Sequence, residues 1–255
     1  MYTKEDLIND IKQAGIKNDD ILMIHSAFSS IKNIEGSALA VLDAFKEVLS
    51  DGLLLLPSHT WASMKEDNAI FDKKEANSCV GYLTNVAINT KTFLRSNHPT
   101  HSVLAFGKNA LSYIRDDDFA KTPVSPNGSF GKLKNGGKIL FLGAKLSKNT
   151  FIHSIEEEMN VADRFTDHIY TFYTRKEDNS LIKFKMPRHF STLNPHISDN
   201  YEKLLPKMLE HGIASKVKIL DSESYLVDAK KCYEYVKEIL INDIHAFDDD
   251  REILI

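Results

Sequence analysis

The sequence has few cysteines, few prolines and glycines, and no long apolar run. Its two cysteines, Cys79 and Cys232, lie far apart and lack the close spacing of zinc ligands. This excludes a disulfide framework and favours reduced structural thiols, so we expect no resident metal. Seven prolines and eleven glycines in 255 residues also exclude collagen-like and low-complexity classes.

Membrane and nucleic-acid functions find no support in the composition. No apolar stretch approaches the roughly 20 residues of a membrane-spanning helix, and the N-terminal MYTKEDLINDIKQAG is charged and amphipathic, unlike a signal peptide. A net charge of −4 with interspersed signs lacks the basic footprint of nucleic-acid binding. We expect a cytoplasmic protein with neither partner, and the oligomeric state stays open.

Short apolar runs alternate with segments of helical periodicity along the whole chain. Strands are predicted at residues 20–24, 53–56, 103–106, 138–142, 168–173 and 181–186, with a strand pair over 216–227. Helices are predicted to begin at Thr3 and near Asn149, and to span 38–49, 82–90, 199–211 and 229–241. This alternation predicts an α/β fold: a single layered domain over residues 1–255 with a mixed central sheet flanked by helices.

Polar residues follow the first two predicted strands. His25 and Ser26 end the first, and Ser58 and His59 follow the second. Sites in open α/β sheets form at the carboxyl ends of strands. The alternative for the serine-rich turn after Ser26 is local capping of its own backbone.

Two later segments are rich in hydrogen-bonding groups. The run RSNHPTHS, from Arg95 to Ser102, suits an anionic, phosphate-bearing ligand. The alternative is that its two histidines, His98 and His101, bind a metal, but no Cys, Asp or Glu lies nearby in sequence to complete such a site. The loop 122–132 offers hydroxyls, amides and one lysine, and matches neither a Walker loop nor a dinucleotide fingerprint. Residues 115–118 are interpreted as a solvated acidic turn, and 248–250 as a frayed acidic tail.

A histidine on the helix after the 138–142 strand has two acidic neighbours. Glu156 and Glu157 follow His153 at i+3 and i+4, so either carboxylate could orient its imidazole. The arrangement is typical of a general base, and the alternative is a surface histidine in an acidic helix. Helix periodicity alone does not choose between Glu156 and Glu157.

Five ordered segments carry a family resemblance. They are HSAFSSI with EGSALAVLDAF, LLLLPSHTW, RSNHPTHSVLAFG, SPNGSFGKL and GGKILFLGAKLSKNTFIHSIEE. In this order they resemble the aminoglycoside 3-N-acetyltransferase family, densely over about residues 4–158 and loosely beyond. The resemblance implies a single α/β fold, acetyl-coenzyme A as co-substrate, and transfer of acetyl to an amine of a small-molecule acceptor, an activity associated with antibiotic resistance.

The resemblance also implies roles for individual residues. His153 would be the general base and Glu156 its catalytic partner, with Glu157 the alternative. The turn after the first strand, the 95–102 run and the 125–132 loop would line the coenzyme A groove. The implied coenzyme-binding residues are His25, Ser26, Arg95, Ser96, His101, Ser102, Ser125, Ser129, Phe130 and Lys132.

The segment after the predicted hairpin departs from the family. Antibiotic-modifying members typically carry an aspartate just before a histidine there, whereas this chain has Pro187-Arg188-His189. Arg188, His189 and Glu157 are the predicted substrate-binding residues. Since an acidic site suits a polycationic aminoglycoside, the exchange favours an acceptor with one amine and nearby negative charge, such as a nucleotide-linked amino sugar.

Two other functional classes fit parts of the sequence. A serine-type hydrolase could use Ser26 or Ser58, although neither lies in a G-x-S-x-G elbow. A non-catalytic relative could retain the coenzyme A groove, but the intact His153 and Glu156 argue against it.

Overall fold

The computed structural model describes residues 1–31 and 33–253. Its strands are β1 (Ile21–Ser26), β2 (Leu53–Pro57), β3 (Ile70–Asp72), β4 (Leu94–Arg95), β5 (Val103–Gly107), β6 (Lys138–Leu142), β7 (Tyr170–Arg175), β8 (Leu181–Met186), β9 (Ala214–Ile219) and β10 (Ser222–Asp228). Its α-helices are α1 (Lys4–Gln13), α2 (Ser37–Val48), α3 (Tyr82–Thr90), α4 (Ala110–Ile114), α5 (Thr150–Glu158), α6 (Leu205–Glu210) and α7 (Ala229–Asn242). Short 3₁₀ segments occupy Phe28–Ser30, Arg115–Phe119, Gly131–Asn135, Leu146–Lys148 and Ile197–Leu204.

Seven strands form a mixed sheet in the order β4-β5-β2-β1-β6-β10-β9. The three inner strands β2, β1 and β6 are parallel, and the flanking pairings are antiparallel. A second sheet has the order β3-β7-β8. The predicted fold class, a layered α/β domain with a mixed central sheet, is confirmed.

The layering follows from alternation along the inner strands. Leu22 and Ile24 belong to the core cluster that includes residues of α1, α2 and α3. Met23, between them, belongs to the cluster that includes residues of α5 and α7. Because successive strand side chains point to opposite faces, a continuous apolar run can bury both faces of a sheet beneath helices.

Several boundaries differ from the sequence-based expectation. The strand β1 runs on through His25 and Ser26, and β3 lies where no strand was predicted. The helix expected over 199–211 is a 3₁₀ segment followed by the short α6. Pro206 explains where the α-helix starts, because proline lacks an N–H and is suited to the first turn. Among the described residues, no helix has the length and apolarity to cross a bilayer.

The parallel strands bring distant polar segments to one edge of the sheet. The carboxyl ends of β1, β2 and β6 meet there, and antiparallel β5 begins there. The strand ends therefore place His25, His59, the 98–102 segment and Gly143 in one region, as the predicted strand-end site requires.

Gly143, directly after β6, has a left-handed backbone with φ of +62°, and a Cβ there would lie 1.9 Å from Ser30 Oγ. We expect Gly143→Ala to lower the free energy of unfolding by roughly 2–5 kcal/mol, from backbone strain plus overpacking. Gly212 is the matched control, since its φ is +63° and a Cβ at this position would meet no atom within 4 Å. Gly212→Ala should cost only about 1–2 kcal/mol. Urea unfolding measures both, and equal losses would contradict the close contact at Gly143.

Candidate functional site

A cleft of about 740 Å³ opens at the edge where the parallel strands end. The strand ends contribute Ile24–Ala27, Pro57, His59 and Gly143–Lys145. Further lining comes from Trp61, Arg188–Ser191 and Pro195–Asp199, and from Lys148, Thr150 and His153 at the start of α5. The cleft thus joins residues far apart in sequence around one histidine of α5.

His153 belongs to a three-residue hydrogen-bonded cluster. Its Nδ1 lies 3.1 Å from Glu156 Oε2 and 2.8 Å from the Tyr201 hydroxyl. The Tyr201 hydroxyl also donates to Glu156 Oε2. Glu156 is fully buried, whereas the His153 side chain keeps 15% of its surface exposed and lines the cleft.

An ion pair fixes the charge of Glu156. Arg164 Nε donates to Glu156 Oε1 at 2.8 Å, and Arg164 Nη2 donates to Asp248 Oδ1 at 2.8 Å. Burial alone would raise the pKa of Glu156, but the hydrogen bond and charge of His153, the charge of Arg164 and the Tyr201 hydroxyl together lower it to about 2. Glu156 is therefore an anion, and the interpretation of Asp248 as part of a frayed tail was wrong.

The anionic Glu156 decides which nitrogen of His153 faces a ligand. A carboxylate accepts hydrogen bonds, so Nδ1 keeps its proton and donates a hydrogen bond to Glu156. In the described part of the chain, Nε2 makes no hydrogen bond, and its lone pair is left for the cleft. Glu157 does not share this role, because its Oε1 accepts from Thr122 Oγ1 at 2.8 Å. Burial raises the pKa of Glu157 to about 7.

Four of the other histidines in the cleft lining are neutral. Burial lowers the pKa of His25 to about 3 and takes those of His59, His101 and His189 well below the ordinary range. The His189 ring centroid lies 3.9 Å from that of His153. These side chains therefore supply hydrogen-bonding groups without adding charge.

Six of the sequence-predicted site residues line this cleft: His25, Ser26, His101, His153, Arg188 and His189. Arg95 does not, because its guanidinium lies inside the fold. It donates to Ala76 O at 2.6 Å, Ser58 O at 2.9 Å and Ser102 Oγ at 3.1 Å. The structure thus gives Arg95 an anchoring role in place of the expected phosphate contact.

Ser96, Ser102 and His98 have similar structural roles. Ser96 Oγ accepts from the Val103 N–H at 3.0 Å, and Ser102 Oγ donates to Ser58 O at 2.7 Å. His98 Nδ1 accepts the N–H groups of the two residues before Ser102, and its Nε2 contacts Thr122 O at 3.0 Å. These groups hold Arg95, Ser96, His98 and Ser102 behind the cleft wall, while His101 of the same segment lines the cleft.

The 125–132 loop also packs away from the cleft. Ser129 donates its N–H and its hydroxyl to Asp117, each at 2.8 Å, and Phe130 is buried in the core. Lys132 pairs with Asp116 at 2.6 Å, and Ser125 is not among the lining residues. The buried Asp117 also shows that the solvated acidic turn was a wrong interpretation.

Comparisons with known proteins establish the family of this chain. The chain matches the family described as aminoglycoside 3-N-acetyltransferase over residues 23–241. It belongs to that family. Aminoglycoside N(3)-acetyltransferase III of Salmonella sp is 26% identical over 183 residues, which cover 64% of this chain and 63% of the relative. Aminoglycoside N(3)-acetyltransferase IX of Micromonospora chalcea is 21% identical, with 91% of each chain covered.

Coverage of the first relatives is partial. YokD of Bacillus subtilis, an aminoglycoside N(3')-acetyltransferase-like protein derived from the SPbeta prophage, is 25% identical over 60% of this chain and 64% of its own. The chain thus spans less than two thirds of the length of YokD and of the Salmonella enzyme.

Solved structures of family members share the fold over nearly the whole chain. The binary complex of AAC-IIIb with CoASH has a TM-score of 0.80 at 20% identity, covering 94% of this chain and 97% of that one. A histidine-to-alanine mutant of AAC(3)-IVa in complex with a gentamicin also has a TM-score of 0.80 at 20% identity, covering 96% and 91%. At these identities the likeness establishes the fold.

Four site residues of this family member escaped the sequence analysis. Lys145 and Lys148 line the cleft between β6 and α5, and their basic character at a strand end was a signal that could have found them. Tertiary packing brings Tyr201 into contact with His153 and Glu156, and Arg164 into contact with Glu156. No local pattern points to either residue.

The His153 cluster also has the spacing of a cation site. Ligand atoms of His153, Glu156 and His189 lie within 4.8 Å of one another. However, both oxygens of Glu156 already accept hydrogen bonds, one of them from Arg164. A cation bound there would have to displace an ion pair, so the donor set fits a proton-handling site better than a metal centre.

Arg95→Ala tests the anchoring role of the buried guanidinium. The change removes hydrogen bonds to three oxygens, of which Ser58 O keeps the Ser102 hydroxyl as a donor. The free energy of unfolding should therefore fall by about 3 kcal/mol. Arg115→Ala, at a largely exposed arginine, is the control and should change stability by about 0.5 kcal/mol or less. Urea unfolding and calorimetry with coenzyme A check the pair. If Arg95→Ala is as stable as the parent but binds coenzyme A more weakly, the anchoring role is wrong and the predicted phosphate contact is supported.

Tyr201→Phe tests the hydroxyl that joins His153 and Glu156. Removing this donor raises the pKa of Glu156. A carboxylate whose pKa is lower in the folded than in the unfolded protein stabilises the fold at pH values above its unfolded pKa. This stabilisation is lost as the pH falls through the folded pKa. Acid unfolding of Tyr201→Phe should therefore begin at higher pH, and kcat should fall about five- to tenfold.

Tyr233→Phe is the matched control, since Tyr233 donates to the carboxylate of Glu158 on the same helix, outside the cleft. Circular dichroism during acid titration and steady-state kinetics provide the readouts. If both variants keep the parental kcat, the Tyr201 hydroxyl has no part in the site.

Proposed function

We propose that this protein is an acetyl-coenzyme A-dependent N-acetyltransferase that acetylates an amine of an amino sugar or aminoglycoside. The observation that carries the proposal is the His153–Glu156–Tyr201 cluster facing a cleft in a chain of this family. The polarised imidazole is the group that a direct amine acylation needs, because the attacking amine must lose a proton.

The cleft fits a phosphate-bearing co-substrate. Lys145 and Lys148 lie in its lining and are exposed, and Lys side chains bind phosphate as point charges. His25 and Ser26 add neutral hydrogen-bonding groups at the end of β1. This support comes from a different set of residues than the 95–102 and 125–132 segments expected from sequence.

The proposed reaction needs no covalent enzyme intermediate, because a thioester is already activated. His153 Nε2 takes a proton from the acceptor ammonium, and the freed amine attacks the acetyl carbonyl carbon. The new C–N bond forms, the C–S bond breaks, and the sulfur leaves with the electron pair of that bond. The nitrogen also loses a second proton as it becomes an amide. That proton passes to the departing thiolate, and the proton held by His153 goes to water. The products are the N-acetyl amide, the thiol of coenzyme A and one released proton.

Glu156 supports this step through its fixed negative charge. It accepts a hydrogen bond from the Nδ1–H group and so holds the imidazole in one tautomer, and it stabilises the imidazolium that forms during proton transfer. Arg164 keeps Glu156 ionised inside the fold. The remaining barrier reduction comes from holding the two reactants together in the cleft.

Serine chemistry is less well supported. Ser58 is fully buried and its hydroxyl lies 2.8 Å from Ser102 Oγ. Within the described residues, neither Ser58 nor Ser26 hydrogen-bonds a histidine. A hydrolase would also release thiol from acetyl-coenzyme A without an amine, and this difference is measurable.

His153→Ala should leave the fold and the coenzyme A affinity intact and lower kcat by about a hundred- to ten-thousandfold. His168→Ala is the matched control, because His168 pairs with Glu66 at 2.8 Å on the exposed surface. Thiol release with a panel of amines, and calorimetry with coenzyme A, provide the readouts.

Near-parental turnover by His153→Ala would show that His153 is not the general base. Thiol release that needs no amine would favour a hydrolase. Coenzyme A binding without turnover of any amine would favour a non-catalytic relative.

A further inference from the structure

The charged side chains around the cleft are mainly positive. Lys145, Lys148 and Arg188 line it, and in the part of the chain that the structure describes Asp199 is the single carboxylate in the lining. None of the three cations forms an ion pair with a described residue. The Arg188 guanidinium contacts neutral groups, the Trp61 carbonyl at 2.8 Å and the face of Tyr170. Its charge is therefore available to a ligand.

The nearby carboxylates that could neutralise this charge are engaged elsewhere. Glu156 is paired with Arg164 inside the fold. Asp163 accepts hydrogen bonds from residues 191–193. The acidic run 116–118, which could have compensated by folding over the cleft, contacts Lys132, Ser129 and Asn97 instead. The cleft is therefore positively charged because these carboxylates bind other residues and do not neutralise its cations.

Arg188 lines the same cleft as His153 and His189. It precedes His189, whose ring centroid lies 3.9 Å from that of His153. Lys145 and Lys148 belong to a different wall, the connection between β6 and α5. Even when the phosphates of coenzyme A neutralise the two lysines, Arg188 keeps its charge near the acceptor.

A polycationic acceptor would therefore meet a fixed positive charge at close range, with only Asp199 to offset it. A phosphate group would instead gain a charge-assisted contact with the guanidinium, whose planar fork matches phosphate oxygens two at a time. Resting on the proposed function, we infer that the acceptor is an amino sugar bearing a phosphate group, and that Arg188 binds that phosphate.

The test compares acceptors that differ in charge. Glucosamine, glucosamine 6-phosphate and gentamicin are assayed with acetyl-coenzyme A by thiol release, using the parent, Arg188→Gln and Arg188→Glu. The parent should have a kcat/KM for glucosamine 6-phosphate at least about tenfold above that for glucosamine, the size expected of one charge-assisted contact. Arg188→Gln should abolish this preference, and Arg188→Glu should reverse it.

Lys185→Glu is the matched control, because Lys185 is an exposed cation of β8 outside the cleft lining. It makes the same charge change and should keep the parental preference. A parent that prefers gentamicin, or a phosphate preference that Arg188→Glu leaves unchanged, overturns the inference while the proposed function stands. Failure to acetylate any of the three acceptors also overturns it, and failure to bind coenzyme A by calorimetry would overturn the proposed function as well.

Discussion

The structure around the cleft depends on one buried ion pair, between Glu156 and Arg164. Both side chains are almost completely removed from water, and an isolated charge in that environment would be strongly unfavourable. The pair is stable because its other polar atoms are also bonded: Tyr201 and His153 bond the second oxygen of Glu156, and Asp248 bonds Arg164. As a consequence, the Glu156 carboxylate stays ionised next to His153.

This network also connects three parts of the chain that lie far apart in sequence. The helix α5 supplies His153 and Glu156, the 3₁₀ segment before α6 supplies Tyr201, and the segment after α7 supplies Asp248. Phe247 packs edge-on against Tyr201 with ring centroids 5.4 Å apart. The segment after α7 is therefore part of the support of the site, which explains why an acidic run there is ordered.

The cleft itself follows from sheet topology. Three parallel strands end at one edge and leave their polar turns together, while the second sheet, through the segment after β8, brings Arg188 and His189 to the same cleft. Buried neutral histidines form much of the lining, so the fixed charges come from Lys145, Lys148, Arg188 and Asp199. The family shares the fold, whereas these side chains determine which ligand charge the cleft accepts.

The sequence alone determined the features that depend on short spacing. Alternating apolar runs predicted the α/β class and most elements, since periodicity reflects which faces are buried. One helical turn brings both Glu156 and Glu157 within reach of His153, so the sequence predicted two candidate carboxylates. The structure selects Glu156, because Glu157 hydrogen-bonds Thr122 instead. Only the tertiary structure decided that Arg95 points inward to carbonyl groups, that Ser129 and Lys132 bind Asp117 and Asp116, and that Tyr201 and Arg164 complete the site. The contacts of Arg164 and Tyr201 with Glu156 and His153 join residues between 8 and 48 positions apart in sequence. Their partners are selected by core packing and by the cost of burying unpaired polar groups, which no local pattern records.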